Sequence, residues 1–158
     1  MNYFTKELMT NVCSPDAIGG TEIGLEYERE WERVYKRYKE YFSKFKNRFS
    51  KAFLNEFDNN GAFHDFELKS ITYSYENSSV VFALGTPKYD YALKYTGVKA
   101  YKFDLPQDAY IDYHIDWGYC EFEMIDEKLL KHNILFLGRD YIDCEITFRH
   151  VSVKKRRK

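Results

Sequence analysis

The sequence predicts an α+β fold, in which aromatic-striped N-terminal helices pack on one face of a mainly antiparallel sheet of seven or eight strands. Up to about residue 60, apolar residues recur every three or four positions, as in helices; from residue 63 they recur every second position, as in strands. Helices that precede a run of strands indicate an α+β class. Mostly tight turns separate the strands, and tight turns join antiparallel neighbours.

The length and composition fit a single folded domain. The chain has 158 residues, of which 44% are hydrophobic and only three are proline. A chain of this size buries roughly two-thirds of the surface that it exposes when unfolded. We therefore predict one α+β domain over residues 1–153, helical over 1–60 and β over 63–153, followed by a basic tail at 154–158.

Two capping signals place the first helices. Thr5 precedes a helical pattern over residues 6–13, and its hydroxyl can accept a hydrogen bond from an unpaired first-turn amide. Ser14-Pro15 ends this pattern, because proline disfavours helix at the residue before it. Thr21 is a second candidate cap, and the acidic residues that follow it suit the positive end of the helix dipole.

An aromatic stripe dominates the next segment. Its members are three or four positions apart, so they lie along one side of a helix. They are Trp31, Val34, Tyr35, Tyr38, Phe42, Phe45, Phe49, Phe53 and Phe57. A single helix over residues 22–57 would be about 50 Å long, so we predict a break near residues 43–50. Because an exposed stripe of this size would promote aggregation, we expect it to pack across the sheet.

The β half begins after a helix stop. The Asn-Asn-Gly sequence at residues 59–61 tolerates the left-handed conformation that closes helices. Alternation then begins, and its change of parity near Lys69-Ser70 predicts a β-bulge, because one extra residue reverses the buried face. Residues 76–79 read as a hairpin loop. A further change of parity follows Gly118, after which Cys120, Phe122 and Met124 share the apolar face and Glu121 and Glu123 face outward.

Residues 108–117 alternate without interruption, which predicts a strand with two distinct faces. The apolar face carries Ala109, Ile111, Tyr113, Ile115 and Trp117. A sheet face in contact with water needs such alternation for solubility alone, and a solvated polar face is the interpretation that we favour. The alternative is a binding surface. Its candidate residues are Tyr110, Asp112, His114 and Asp116.

His64-Asp65 stands where the helical half meets the β half. The pair resembles the signature of HD phosphohydrolases, whose metal sites need several further His and Asp ligands. A metal site requires at least three ligands that converge on the ion, so a metal-dependent hydrolase would need residues from elsewhere. Its candidate set is His64, Asp65, Asp112, His114 and Asp116. We favour a structural role, in which His64 packs at the seam and Asp65 binds loop amides.

No specific catalytic motif occurs in the chain. GxSxG, GxGxxG, HExxH and Walker sequences are absent, and we expect neither an enzymatic activity nor a cofactor. The three scattered cysteines, Cys13, Cys120 and Cys144, indicate reduced and mostly buried thiols in a cytoplasmic protein. No apolar run approaches the roughly 20 residues that span a bilayer, so no membrane association is expected.

The charge is distributed unevenly. The formal net charge is −1, although the last five residues, Lys154–Lys158, are all basic, which leaves the rest of the chain acidic. A basic tail favours nucleic-acid binding, and this is one alternative function, which the acidic body opposes. The interpretation that we favour is a solvated, frayed end.

Two stretches resemble bacterial families. Tyr-Phe-Thr-Lys-Glu at residues 3–7 resembles the N-terminal signature of a bacterial family of unknown function. The β half, from His64-Asp65 and Ile71 to the strands near residues 134–136 and 146–148, is similar to small immunity-type proteins, in which a His-Asp pair commonly opens the first strand. The resemblance implies a cytoplasmic bacterial protein without enzymatic activity, and it supplies no catalytic residues.

These observations predict a non-enzymatic binding protein that acts through a protein partner, with toxin neutralisation as one form of that activity. The chain has 15 tyrosines, and tyrosine is enriched at protein interfaces. The hypothesis requires an exposed patch that is rich in tyrosine or acidic residues. The alternatives are a metal-dependent hydrolase that uses the His/Asp cluster and a nucleic-acid-binding protein that uses the basic tail.

Overall fold

The computed structural model describes residues 1–17, 21–104, 114–138 and 140–158. These residues divide into two compact units, Met1–Lys46 and Asn47–Lys158. The first unit is helical, and the second contains the last helix and an eight-stranded antiparallel sheet. The predicted α+β class is therefore confirmed, and the division between the units falls inside the predicted helical half.

The first unit contains two helices that begin at the predicted caps. α1 spans Lys6–Val12 and α2 spans Glu22–Ser43. The hydroxyls of Thr5 and Thr21 each accept a hydrogen bond from the amide three residues further along, at 3.2 and 3.0 Å. Each cap therefore satisfies one of the amides that a helix start leaves unpaired.

Aromatic rings form the core of the first unit. The ring centroid of Phe4, which directly precedes the α1 cap, lies 5.0 Å from that of Trp31 and 5.2 Å from that of Tyr38. Tyr38 stacks in turn on Phe42, one turn further along α2. Aromatic pairs of this kind contribute about 0.5–1.5 kcal/mol beyond the area they bury. The first part of the predicted stripe is thus core within this unit.

The predicted break in the aromatic stripe is present. α2 ends at Ser43, and α3 spans Lys51–Asn59 after the cap residue Ser50. The Ser50 hydroxyl accepts a hydrogen bond from the amide of Phe53 at 3.1 Å. The break divides the stripe between the two units.

Among the described residues, no helix has the length and apolar character needed to cross a membrane.

The described residues form eight antiparallel strands. They are β1 (Phe66–Ser74), β2 (Ser79–Gly85), β3 (Tyr89–Thr96), β4 (Ala100–Phe103), β5 (Asp116–Met124), β6 (Leu130–Leu137), β7 (Tyr141–Phe148) and β8 (His150–Arg157). Their order across the sheet is β4-β7-β6-β5-β1-β2-β3-β8. The predicted bulge in β1 is confirmed, because the register between β1 and β2 shifts between Leu68 and Ser70.

One face of the sheet, the core face, carries the large buried rings. Tyr95 of β3 lies 5.0 Å from Phe148 of β7, and Phe82 of β2 lies 5.9 Å from Phe136 of β6, between ring centroids. In neither pair do the two strands neighbour each other in the sheet. The sheet must therefore curve strongly around this face. Trp117 of β5 is fully buried in the same layer.

α3 packs on the core face through aromatic rings. Phe122 of β5 is fully buried. Its ring centroid lies 4.7 Å from that of Phe49, which precedes α3, and 6.0 and 5.6 Å from those of Phe53 and Phe57 within the helix. The second part of the predicted stripe therefore packs on the sheet, as expected from its helical spacing.

The C-terminal segment is part of the sheet. β8 pairs with β3 along its whole length, from His150 opposite Thr96 to Arg157 opposite Tyr89. The prediction of a frayed end at residues 154–158 is therefore wrong, although these residues are exposed to solvent. β8 lies at the edge of the sheet, and cationic side chains on an edge strand oppose unwanted pairing with another chain. This role accounts for the lack of apolar alternation that made the segment resemble a tail.

A second bulge explains the change of parity after Gly118. β5 runs through Gly118, and its register against β6 shifts between Trp117 and Tyr119. A Cβ atom on Gly118 would lie 2.5 Å from the carbonyl oxygen of Leu135, so this bulge requires glycine. Residues 108–113 of the predicted strand lie outside the described residues.

Candidate functional site

The structure describes two of the four predicted binding residues. Asp116 is the first residue of β5, and His114 precedes it by two positions. Tyr110 and Asp112 lie outside the described residues. The polar strand face that all four were predicted to share therefore stays a prediction.

His114 lies between two carboxylates. Its Nε2 atom is 3.0 Å from Oδ1 of Asp116, and its Nδ1 atom is 3.8 Å from Oε1 of Glu67. Glu67 also contacts Lys69, with 3.2 Å between Oε2 and Nζ. The pairing of β1 with β5 brings these residues together, because Glu67 lies opposite Asp116. All of these side chains are partly exposed, and exposed ion pairs contribute little to stability.

Backbone strain marks the seam between the helical and β halves. Gly61, Ala62, Phe63 and Asp65 have φ angles of 55°, 59°, 66° and 64°. This left-handed region costs non-glycine residues roughly 1–2 kcal/mol each. Packing holds the strained backbone in place, because the fully buried Phe63 ring contacts Phe53, Phe57 and Trp117. Strain of this kind persists only where the surrounding structure enforces it.

His64 and Asp65 contact each other at this seam, with 2.9 Å between Nδ1 and Oδ1. The ring of His64 packs edge-on against Tyr119 of β5, at 4.8 Å between centroids. The Asp65 side chain is 76% exposed and pairs with His64, whereas the sequence analysis expected it to bind loop amides. The backbone amide of Asp65 donates to the carbonyl of Trp117 at 2.8 Å. Asp65 therefore links the seam to β5 through its main chain.

Four of the five residues of the metal-dependent alternative form two contacts, His64 with Asp65 and His114 with Asp116. The fifth, Asp112, lies outside the described residues. Within the described ranges, no group of three or more His, Cys, Asp or Glu side chains could hold a metal ion. Glu67 was not among the predicted site residues. Its contact with His114 depends on the register between β1 and β5, for which the sequence carries no local signal.

Two buried polar side chains lie on the face of the sheet opposite the core face. Glu121 and Asn133 are buried, and the Asn133 amide donates to Glu121 at 3.5 Å and also to Glu123. Glu121 therefore points away from the core face, as predicted, but it is buried and not in contact with water. On the neighbouring strand, Glu145 pairs with Lys131 at 2.9 Å.

Burial makes two of the three cysteines unsuitable as nucleophiles. Cys120 and Cys144 are buried, whereas Cys13 is exposed. Desolvation raises the pKa of the Cys120 thiol to about 12 and also raises the pKa of Cys144. The reactive form of cysteine is the thiolate, so both buried side chains remain protonated and unreactive at neutral pH.

An exposed aromatic pair lies at the end of β1. Tyr73 is 49% exposed and Tyr75 is 85% exposed, and their ring centroids are 6.1 Å apart. A turn follows that leads into β2, and Ser78 within it has a φ of 42°. Strand alternation predicts that Tyr73 and Tyr75 share a face, but it does not indicate that both rings remain in water.

The exposed Tyr73–Tyr75 pair and the partly exposed cluster around His114 are thus two groups, among the described residues of the second unit, with side chains suited to recognition. The first is amphipathic, and the second carries both carboxylates and imidazole.

No protein-family model matches the chain, and no curated protein is significantly similar to it.

Proposed function

We propose that this chain is a non-enzymatic binding protein that acts through a protein partner. The observation that carries the proposal is the exposed pair of Tyr73, in β1, and Tyr75, directly after the end of β1. A tyrosine ring buries a large apolar area on contact, and its hydroxyl can bond at the edge of the interface. Aromatic anchors of this kind account for much of the binding energy at protein interfaces.

The resemblance of the β half to immunity-type proteins favours a toxin as the partner. Neutralisation by stoichiometric binding needs a complementary surface and no catalytic group. The protonated state of the buried thiols Cys120 and Cys144 is compatible with such a role. If the partner is a toxin, coexpression of the chain should restore growth of cells that produce that toxin.

The nucleic-acid alternative gains less support. Three cationic side chains of the C-terminal segment contact acidic residues of the same chain: Lys155 pairs with Glu56, and Arg156 and Lys158 both pair with Asp90. These internal pairs compete with phosphate for the cations. The alternative predicts binding that weakens steeply with salt.

The test uses the wild-type chain and a Tyr73→Ser/Tyr75→Ser double variant as baits in extracts of the natural host. The expected result is a stoichiometric partner that wild type retains and the double variant loses. Tyr35→Ser is the matched control, because Tyr35 is another exposed tyrosine but lies in the first unit. It should retain the partner.

The purified partner then allows the affinity to be measured by calorimetry. We expect the double substitution to weaken binding at least about 100-fold, which corresponds to roughly 2.7 kcal/mol. A partner that binds wild type and the double variant equally would contradict the assignment of this surface. Failure to find any stoichiometric partner in host extracts would count against the function itself.

A further inference from the structure

Lys155 projects its ammonium group from β8 onto two aromatic rings of β3. The Nζ atom lies 4.5 Å from the ring centroid of Tyr89 and 5.4 Å from that of Tyr91. The two rings are 6.3 Å apart and inclined at 67° to each other, so they approach the cation from two directions. A cation within about 6 Å of a ring centroid is attracted by the negative face of the ring.

A carboxylate from α3 reaches the same ammonium group. The Oε2 atom of Glu56 is 3.3 Å from Nζ of Lys155. Paired aromatic rings are the means by which proteins bind lysine derivatives and quaternary ammonium groups. The carboxylate of Glu56 adds a direct electrostatic attraction, which falls with salt because the site is partly exposed.

Asn60 holds two of these groups in position. Its Nδ2 atom donates to Oε2 of Glu56 at 3.1 Å, and its Oδ1 atom accepts from the Tyr91 hydroxyl at 3.4 Å. Tyr91 is buried and also packs against Phe66, at 4.9 Å between centroids. These contacts do not involve Lys155, so the site should keep its shape when Lys155 is withdrawn.

We propose that this ammonium cage, formed by Glu56, Asn60, Tyr89 and Tyr91, is a binding site for alkylammonium cations. Lys155 occupies the cage as a tethered ligand and so fastens the edge strand β8 to α3 and β3. A tethered ligand has an effective concentration in the millimolar range or above, which opposes binding from solution. An external alkylammonium group enters when Lys155 is displaced. This inference does not depend on the proposed role of Tyr73 and Tyr75.

The test compares wild type with Lys155→Ala, and it uses tetramethylammonium as the probe. Tyrosine fluorescence and NMR shifts of the Tyr89 ring report binding. We expect Lys155→Ala to bind the probe at least about tenfold more tightly than wild type, because the competing tethered ligand is gone. Lys154→Ala is the matched control: Lys154 is the exposed neighbour on the same strand, and its removal should leave the wild-type affinity.

Substitutions in the cage complete the design. In the Lys155→Ala background, Glu56→Gln and Tyr89→Ala should each weaken binding of the probe at least about fivefold. Nα-acetyl-lysine methylamide is the second probe: stronger binding of this compound than of tetramethylammonium assigns the cage to a lysine of a partner protein, and the reverse assigns it to a small quaternary amine.

Circular dichroism checks that Lys155→Ala is folded. Lys155→Met, which keeps the aliphatic stem without the charge, replaces it if the alanine variant is not folded. The proposal would be overturned by equal affinities for wild type, the Lys155 variant and the Lys154 control. It would also be overturned if binding to the Lys155 variant were insensitive to Glu56→Gln and Tyr89→Ala.

Discussion

The hydroxyl of Tyr95 lies 2.8 Å from Nδ1 of His132, and both side chains are fully buried on the core face of the sheet. The imidazole also stacks on Phe122, at 3.7 Å between centroids. This contact joins β3 to β6 across the curved sheet. The Tyr95 hydroxyl can both donate and accept, so this hydrogen bond suits either neutral tautomer of the imidazole. Complete burial away from water disfavours the charged imidazolium, so the interior favours neutral His132.

Acid should destabilise the protein through His132. Burial lowers the pKa of His132 well below its ordinary value of 6.5. In the unfolded chain the imidazole becomes protonated near that value, so unfolding takes up a proton at lower pH. The free energy of unfolding should therefore fall as the pH drops below about 6.5, by up to about 1.4 kcal/mol per pH unit from this group alone, until the pH reaches the folded-state pKa.

Urea unfolding between about pH 7 and about pH 5 measures this dependence. His132→Gln removes the titrating group and should flatten the pH dependence, even though it lowers stability at neutral pH. His150→Gln is the control, because His150 is exposed, and it should preserve the wild-type slope. If wild type and His132→Gln lose stability in parallel, His132 is not the acid-sensitive group.

Phe122 should be one of the most sensitive positions in the second unit. Its ring contacts Phe53 and Phe57 of α3 on one side and stacks on His132 on the other. Phe122→Ala should lower the free energy of unfolding by about 3–5 kcal/mol, because it removes buried surface and leaves a cavity under the helix. Denaturant unfolding provides the measurement.

Tyr75→Ala is the control for Phe122→Ala, because the Tyr75 ring is largely in water. It should change stability by no more than about 0.5 kcal/mol. A loss of less than about 1 kcal/mol for Phe122→Ala would mean that α3 can repack on the sheet without this ring.

The helices could be predicted because their signals are local. Thr5, Thr21 and Ser50 each bond to an amide only three residues away, so a short window of sequence contains the cap and its partner. The bulge in β1 is also local, since it changes the parity of apolar residues within one strand. These features depend little on which strands become neighbours.

The polar side-chain contacts between residues far apart in the sequence could not be predicted in the same way. Tyr95 and His132 are 37 positions apart, and Lys155 and Glu56 are 99 positions apart. Both contacts depend on the order of the strands and on the curvature of the sheet, which alternation does not encode. The C-terminal strand could not be predicted for a related reason: a run of cations becomes a strand only because β3 is available to pair with it.

Asp65 should matter for stability through its backbone conformation. Its φ of 64° suits glycine, is tolerated by aspartate and disfavours alanine. Asp65→Ala should lower the free energy of unfolding by about 1 kcal/mol, whereas Asp65→Gly should be neutral or stabilising. Partner binding should be unchanged in both variants. Thermal unfolding followed by circular dichroism measures the difference, and an unchanged melting temperature for Asp65→Ala would refute the structural role.

Removal of residues 154–158 should destabilise the second unit, because these residues pair with residues 89–92 of β3 and carry the contacts to Glu56 and Asp90. A decrease of even about 1 kcal/mol in the free energy of unfolding would lower the melting temperature by roughly 2–4 °C in a chain of this size. Amides along β3 should also exchange faster with solvent. A frayed tail could be removed without either effect.

A charge-matched variant separates strand pairing from charge. Lys154 and Arg157 are exposed and form no ion pair within the described part of the chain, so Lys154→Ser/Arg157→Ser reduces the basic charge but keeps β8. It should retain the wild-type melting temperature and slow exchange. If truncation and this double variant both leave stability unchanged, pairing of β8 with β3 contributes little. If the double variant is as unstable as the truncated chain, charge and not strand pairing is the source of the effect.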